Sequence, residues 1–240
     1  MRHLFPTQVT SVTWAVTPQG GLLLGVLLFD FVSKFLAGNG EMAVRSVKMY
    51  VDFWNFQLRW NEAMRSSDPS HSPARISWEK LPAALMAELP SIFGTSDSLM
   101  FRGIHVFASV NPRPGSKDEG LKRFLHALNQ QTGYQVKVRE RKFKSDDCPH
   151  CGKAIDRMVE KGVDASVVTA LYEGAINNSY DIACLLSNDT DHIPAIQTIQ
   201  DRLNKQIIHV GFRRGGNEIR TATWGHIELD GAIASRISNP

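Results

Sequence analysis

Short apolar runs alternate with stretches of helical period along most of the chain. Val47-Lys-Met-Tyr-Val-Asp52 is the first clear strand, and it stops in an acid. Phe53, Trp54, Asn55 and Phe56 follow, then a polar stretch through Trp60 and Asn61. A helix starting here lets Asp52 and Asn55, three residues apart, face one point. Residues 66–75 read as a loop from their Ser, Pro and His content. Residues 81–89 read as a short helix started near Pro82, and 104–110 as a strand closed by Asn111-Pro-Arg-Pro-Gly115. Leu121, Phe124, Leu125 and Leu128 share a helix face. Residues 134–143 alternate as one strand, with Val136 and Val138 opposite Lys137, Arg139 and Arg141.

The second half repeats the alternation. Val163, Val167, Leu171 and Ala175 fall on one helical face. Ile182–Leu186 is apolar throughout and too short for a helix, so it reads as a buried strand. It runs into Ser187-Asn188-Asp189-Thr190-Asp191, after which Ile193, Ile196, Ile199 and Leu203 recur at helical spacing, with Pro194 tolerated in the first turn. Residues 206–212 form a further strand, and Ile227 with Leu229 mark the last. Strands alternating with helices from Val47 onward predict a mostly parallel sheet with helices on both faces.

Residues 1–46 do not share this pattern. Residues 21–38 are almost all apolar, but Asp30 and Lys34 interrupt a run that is barely of spanning length, and central charges are costly in a membrane. The readings are a docking helix, a weak membrane anchor, or an extension ahead of the real domain; a helical extension without a stable membrane partner fits the interruptions best. The chain thus divides into an extension, 1–46, and one α/β domain, 47–240. A net charge of +3 permits a nucleic-acid partner without arguing for one. Three cysteines, two of them in Cys148-Pro-His-Cys151, are no disulfide framework and suit a reducing cytoplasm.

The candidate chemistry sits where strands end in acids. Asp189 and Asp191 lie between a strand and a helix, which places them at the carboxyl edge of the sheet, where ligands bind in open α/β folds. Asp52 ends the first strand, and Asp164 opens the helix after Glu160-Lys161-Gly162-Val163. Each alone reads equally as a helix cap or a turn residue. Converging, they would form a negative pocket that needs a cation, and Mg²⁺ or Mn²⁺ takes hard oxygen ligands of this kind. A phosphatase of the aspartate-nucleophile type is excluded because Trp54 stands where its second acid belongs, and a dinucleotide fold because Phe-Trp-Asn-Phe replaces a Gly-rich turn. Cys148-Pro-His-Cys151-Gly152, within an insertion near 146–153, has the spacing of half a zinc knuckle. His150, His71 or a second chain would have to complete such a site; the alternative is a tight turn with two reduced thiols. Arg213-Arg214-Gly215-Gly216 is either a phosphate contact or a basic turn.

Taken together, Asp52-x-x-Asn55, Glu160-Lys161-Gly162-Val163-Asp164, Tyr180-Asp181-Ile182-Ala183 and Ser187-x-Asp189-x-Asp191 resemble the ordered motifs of NYN domains, the PIN-like ribonuclease family that includes LabA-like bacterial proteins. The resemblance spans residues 47–229 and implies a Rossmann-like three-layer α/β/α sandwich with a metal-dependent site for single-stranded or structured RNA. By that resemblance Asp52, Asp164, Asp189 and Asp191 are metal-site acids and, with Asn55, catalytic. Ser187, Asn188, Lys161, Arg213, Arg214 and Trp54 are the candidate substrate contacts, and Mg²⁺ or Mn²⁺ the cofactor. A homodimer is implied as well. Asn188 stands where LabA-like members often carry Gly, and His192 where the usual residue is aromatic. The rival reading is a non-catalytic RNA-binding or scaffold module on the same fold.

Overall fold

The computed structural model describes residues 44–67, 75–93, 98–212 and 215–239. The expected apolar helix of the extension, together with His71, Arg213 and Arg214, lies outside the described residues.

Among the described residues the main sheet has six strands, all parallel: β1 (Val44–Asp52), β3 (Ser98–Val110), β4 (Tyr134–Glu140), β7 (Ile182–Leu186), β8 (Gln206–Gly211) and β9 (Gly225–Glu228). Their order is β4-β3-β1-β7-β8-β9. The chain therefore builds outward from β1 in one direction, returns, and builds outward in the other. β1 pairs with β3 on one side and β7 on the other, with Val51 opposite both Val106 and Leu186. The crevice between β1 and β7 is the point where the winding reverses, the place where ligands sit in doubly wound sheets.

Alternation along β1 sets the layers. Val47, Met49 and Val51 project into one core with α1 (Phe53–Ser67), α2 (Leu81–Phe93), α3 (Glu119–Asn129) and α7 (Gly231–Ile237). Tyr50 projects to the other face, where α4 (Val163–Ile176), α5 (Ile193–Leu203) and α6 (Asn217–Ala222) cover Ala183, Leu185 and Ile207. β7 is buried along its whole length, as its unbroken apolar sequence requires. Ordering three layers this way gives the expected α/β/α sandwich. A short antiparallel pair, β2 (Arg75–Ile76) with β10 (Ser238–Asn239), ties the carboxyl end back to the loop ahead of α2. Among the described residues, no helix is long and apolar enough to cross a membrane.

The structure corrects one expected element. Residues 134–143 do not run as one strand: β4 stops at Glu140, and Lys142–Asp147 (β5) turns away to pair antiparallel with Ala154–Val159 (β6). The break falls at Arg141. Its backbone N–H donates to the carbonyl of Val110, 2.8 Å away, and its side chain swings back to Ser109 and Asp118. The apolar alternation stops at Val138, and Arg139 to Lys142 is a charged run that fits the end of one strand as well as the middle of a longer one. The hairpin carries Cys148 and Cys151 at its tip, where the Gly152 amide donates to the Cys148 carbonyl over 2.8 Å.

Candidate metal centre

Three elements bring an acid to the β1–β7 crevice. β1 ends in Asp52, which is 3% exposed, and the amide of Asn55 donates to its Oδ1 at 3.2 Å. Asp52 is thus both the cap of α1 and a carboxylate aimed into the crevice; the two readings of the sequence are not exclusive. Asp164 lies in the first turn of α4. Gly162, at φ 79°, sits at the cap position, and no side chain caps the helix, so the Asp164 carboxylate is not spent on capping. Its charge also lies at the positive end of a helix dipole. Asp189 follows β7 and caps the single 3₁₀ turn Thr190–His192 by accepting from the amide of Asp191 at 3.0 Å.

Oxygens of Asp52, Asp164 and Asp189 and a ring nitrogen of His192 all lie within 4.8 Å of one another. Of the acids expected to meet, Asp191 alone is outside this group: it is exposed, and its backbone rather than its carboxylate makes the contact with Asp189. His192 takes a place in the cluster that the sequence had not assigned. It is fully buried, and neither ring nitrogen has a hydrogen-bond partner among the described residues. Its position next to Asp191 was visible; its burial among three carboxylates was not.

Crowded acids behave as electrostatics requires. Burial, opposed by the Asn55 amide and reinforced by Asp164, Glu160 and Asp189, pushes the Asp52 carboxyl up to about 7. Burial and the neighbouring Asp189 also raise Asp164, against the opposing effect of His192. Burial lowers the His192 imidazole, with Asp189, Asp164 and Asp191 pulling the other way. A protein that folds three carboxylates and an unpaired imidazole into one spot stores repulsion that a divalent cation relieves. The donor set therefore fits such an ion.

The walls of the crevice come from the remaining candidates. Asn55 Oδ1 accepts from the Asn188 amide at 2.9 Å, stitching α1 to the loop after β7. Asn188 Oδ1 lies 2.9 Å from His209 Nε2, and Gly211 and Gly216 leave the room it occupies: a methyl at Gly211 would fall 2.7 Å from that oxygen. Ser187 is buried, its hydroxyl accepting from the Asp189 amide at 3.2 Å, which shapes the same loop. On the other side the Trp54 indole donates to the Ser109 carbonyl at 2.8 Å and carries the Arg141 guanidinium 4.9 Å above its ring. Arg141 also donates to the Ser109 hydroxyl at 3.0 Å, and that hydroxyl donates to Glu160. Lys161 is exposed beside them. Nothing in the sequence marks Ser109 or Glu160 for this role, although Glu160 lies within the Glu160-Lys161-Gly162-Val163-Asp164 segment. A depression of about 730 Å³ bordered by Pro82, Met86, Phe101 and Tyr134 lies toward the amino ends of the strands and gathers no such set.

Comparison with known proteins agrees with this geometry. A family model described as NYN domain matches residues 102–229, more than half of the chain. β1 and Asp52 precede the matched stretch, and the sheet order is what joins them to it. A crystal structure of a protein of unknown function from Vibrio parahaemolyticus superposes with a TM-score of 0.50 at 15% identity, covering 80% of this chain and 97% of that one. At that identity the likeness speaks for the fold. No protein of curated function matches.

Proposed function

The chain belongs to the NYN domain family, and from that premise we propose that it is a metal-dependent endoribonuclease acting on single-stranded RNA. The observation that carries the proposal is the meeting of Asp52, Asp164 and Asp189, drawn from three distant segments, within 4.8 Å at the crevice where the sheet reverses. These acids would hold Mg²⁺ or Mn²⁺, with Asp191 at the rim. A divalent ion there supplies Lewis-acid stabilisation of phosphodiester charge and readier ionisation of water.

The chain's own groups supply the rest. Asp52, with its pKa near 7 in the metal-free pocket, is poised to exchange a proton for a cation near neutral pH. Asn55 holds the Asn188 amide, fixing the loop that carries Asp189. In the hydrolysis a P–O bond forms to water and the bond to the leaving ribose oxygen breaks, that oxygen gaining a proton. Arg141 and Lys161, with Arg213 and Arg214 from outside the described residues, are the cationic groups proposed to meet the RNA backbone, and Trp54 offers an aromatic face at the rim. Ser187 and Asn188 shape the floor on which the substrate rests.

The protein is proposed to work in the cytoplasm. Cys148 and Cys151 would form one half of a zinc site: the neighbouring His150 and Cys151 amides and the Cys151 thiol hold the Cys148 thiol below its usual pKa. The same pair from a second copy completes four thiolate ligands, which unites the zinc site with a homodimer.

The test is cleavage of end-labelled single-stranded RNA by purified protein in Mn²⁺ and in EDTA. Metal-dependent cleavage that disappears in Asp189→Asn, with circular dichroism unchanged, is the expected result. RNA binding without cleavage by the wild type would replace the enzyme with a binding module of the same fold.

A further inference from the structure

The three carboxylates do not account for His192. Its ring is fully buried, yet both Nδ1 and Nε2 lack a hydrogen-bond partner among the described residues. Buried polar atoms in native proteins almost always have a partner, so a buried ring with two unpartnered nitrogens calls for an explanation, of which a bound ion is one. One of these nitrogens lies within 4.8 Å of oxygens of Asp52, Asp164 and Asp189 at once. The turn holding the ring is fixed independently of it: the Asp191 amide donates to Asp189 Oδ1 at 3.0 Å, and the His192 amide faces the Asp189 carbonyl at 3.4 Å. The imidazole is therefore presented to the acids by its backbone, not held there by bonds of its own.

We propose that His192 is a fourth ligand of the ion held by Asp52, Asp164 and Asp189, and that its nitrogen biases this site toward Mn²⁺ and later first-row divalent ions over Mg²⁺. The inference rests on the metal-site reading above and adds to it the nature of the ion. Donors around one octahedral ion at about 2.1 Å stand about 3 Å apart when adjacent and about 4.2 Å apart when opposite. Four donor atoms confined within 4.8 Å meet that requirement with small side-chain closure. Mg²⁺ prefers oxygen and keeps much of its water, whereas imidazole nitrogen suits transition ions, whose affinities rise from Mn²⁺ toward Cu²⁺. An aromatic hydrocarbon in this position would fill the same space and leave an all-oxygen site. The histidine makes it mixed.

Metal-free full-length protein is titrated calorimetrically with MnCl₂ and separately with MgCl₂, and the Mn²⁺ complex is examined by electron spin-echo envelope modulation. The expected result is ¹⁴N modulation from a directly bound imidazole, replaced by ¹⁵N modulation after labelling with ¹⁵N-histidine. His192→Phe should lose that modulation and at least about tenfold in Mn²⁺ affinity, with Mg²⁺ affinity little changed. Mn²⁺ bound without nitrogen modulation overturns this inference and leaves the carboxylate site standing. Absence of Mn²⁺ binding by the wild type overturns both. Because the wild-type spectrum alone decides nitrogen ligation, failure of His192→Phe to fold does not shield the proposal.

Discussion

Replacing Asp52 by Asn should make the metal-free protein more stable and the metal-bound protein less so. Asp52 is 3% exposed and its carboxyl is raised from an ordinary 3.8 to about 7, first by burial and then by Asp164, Glu160 and Asp189. A group whose folded pKa exceeds its unfolded one binds more protons in the folded state, so stability falls as pH rises between about 4 and 7 and is lowest above 7. Three pKa units at about 1.36 kcal/mol each set an upper value of about 4 kcal/mol for the destabilisation at pH 8. Asparagine removes the charge while keeping an oxygen to accept the Asn55 amide, a bond of 3.2 Å in the wild type. Allowing for relaxation and water entry, Asp52→Asn should gain about 2 kcal/mol over wild type at pH 8 in EDTA, and the gain should vanish as pH falls toward 4. Urea unfolding at pH 8 and pH 5 reads both values. Adding Mn²⁺ at about 100 times its Kd should stabilise the wild type by about 2.7 kcal/mol and the variant hardly at all, closing or reversing the gap. A variant less stable than wild type at pH 8 in EDTA would refute the idea that the charged Asp52 carboxylate costs stability where it is buried. Equal stabilisation of both by Mn²⁺ would refute ligation by Asp52.

Other substitutions probe the supports of the site. Gly211→Ala puts a methyl 2.7 Å from Asn188 Oδ1 and 2.5 Å from the His209 ring; it should shift the Asp189 loop, cutting kcat on RNA by about tenfold or more while costing about 1–3 kcal/mol in urea. Gly174→Ala crowds Tyr50 Oη and the Tyr180 ring, the latter at 2.6 Å, far from the acids. It should cost a similar 1–3 kcal/mol, roughly, yet leave kcat unchanged where the variant is folded. Burial lowers His209 to about 4, so the unfolded chain binds more protons between about pH 6.5 and 4 and stability is lost as pH falls through that window, by up to about 3 kcal/mol. His209→Gln should flatten that acid limb in urea titrations; an unchanged limb would show that His209 is not buried neutral. Cys148→Ser should abolish bound zinc, which in the wild type is expected at one ion per two chains by mass spectrometry under native conditions.

The parts of this molecule that could be read from the sequence are those where local chemistry and final environment agree. Ile182–Leu186 is five apolar residues and becomes five buried ones, because a strand covered on both faces asks nothing of its neighbours except hydrophobicity. Asp52, Asp164 and Asp189 were legible as candidates for the opposite reason, since each is an acid where an apolar segment has just ended or is about to begin. The split at Arg141 was hidden because Arg139 to Lys142 is an all-charged run, which carries no apolar period to show where one strand ends and the next begins. The exclusion of Asp191 and the entry of His192 were hidden too. Within one 3₁₀ turn, adjacent residues point in different directions, and spacing alone does not say which enters the crevice. Glu160 and Ser109 meet through one side-chain hydrogen bond between β3 and the residue after β6, a contact across fifty-one positions.

The sheet order explains why repulsion can be built into this fold at all. β1 is central, flanked by β3 and β7, and lies between two apolar cores. Its pairing is fixed by Val47, Met49, Tyr50 and Val51 whatever residue comes next, so Asp52 is carried to the crevice by hydrophobic register rather than by any attraction of its own. The same holds on the far side, where β7 delivers Asp189, and above, where the buried face of α4 delivers Asp164. Burial of whole strands and a helix face is worth many times the few kcal/mol of charge repulsion at their ends. The scaffold can therefore hold an unfavourable pocket in place without a ligand, and a cation arriving there recovers as binding energy what the folded chain had lost in assembling it. It follows that apolar substitutions along β1 should weaken metal-free and metal-bound protein alike, whereas changes to the acids should move the two in opposite directions.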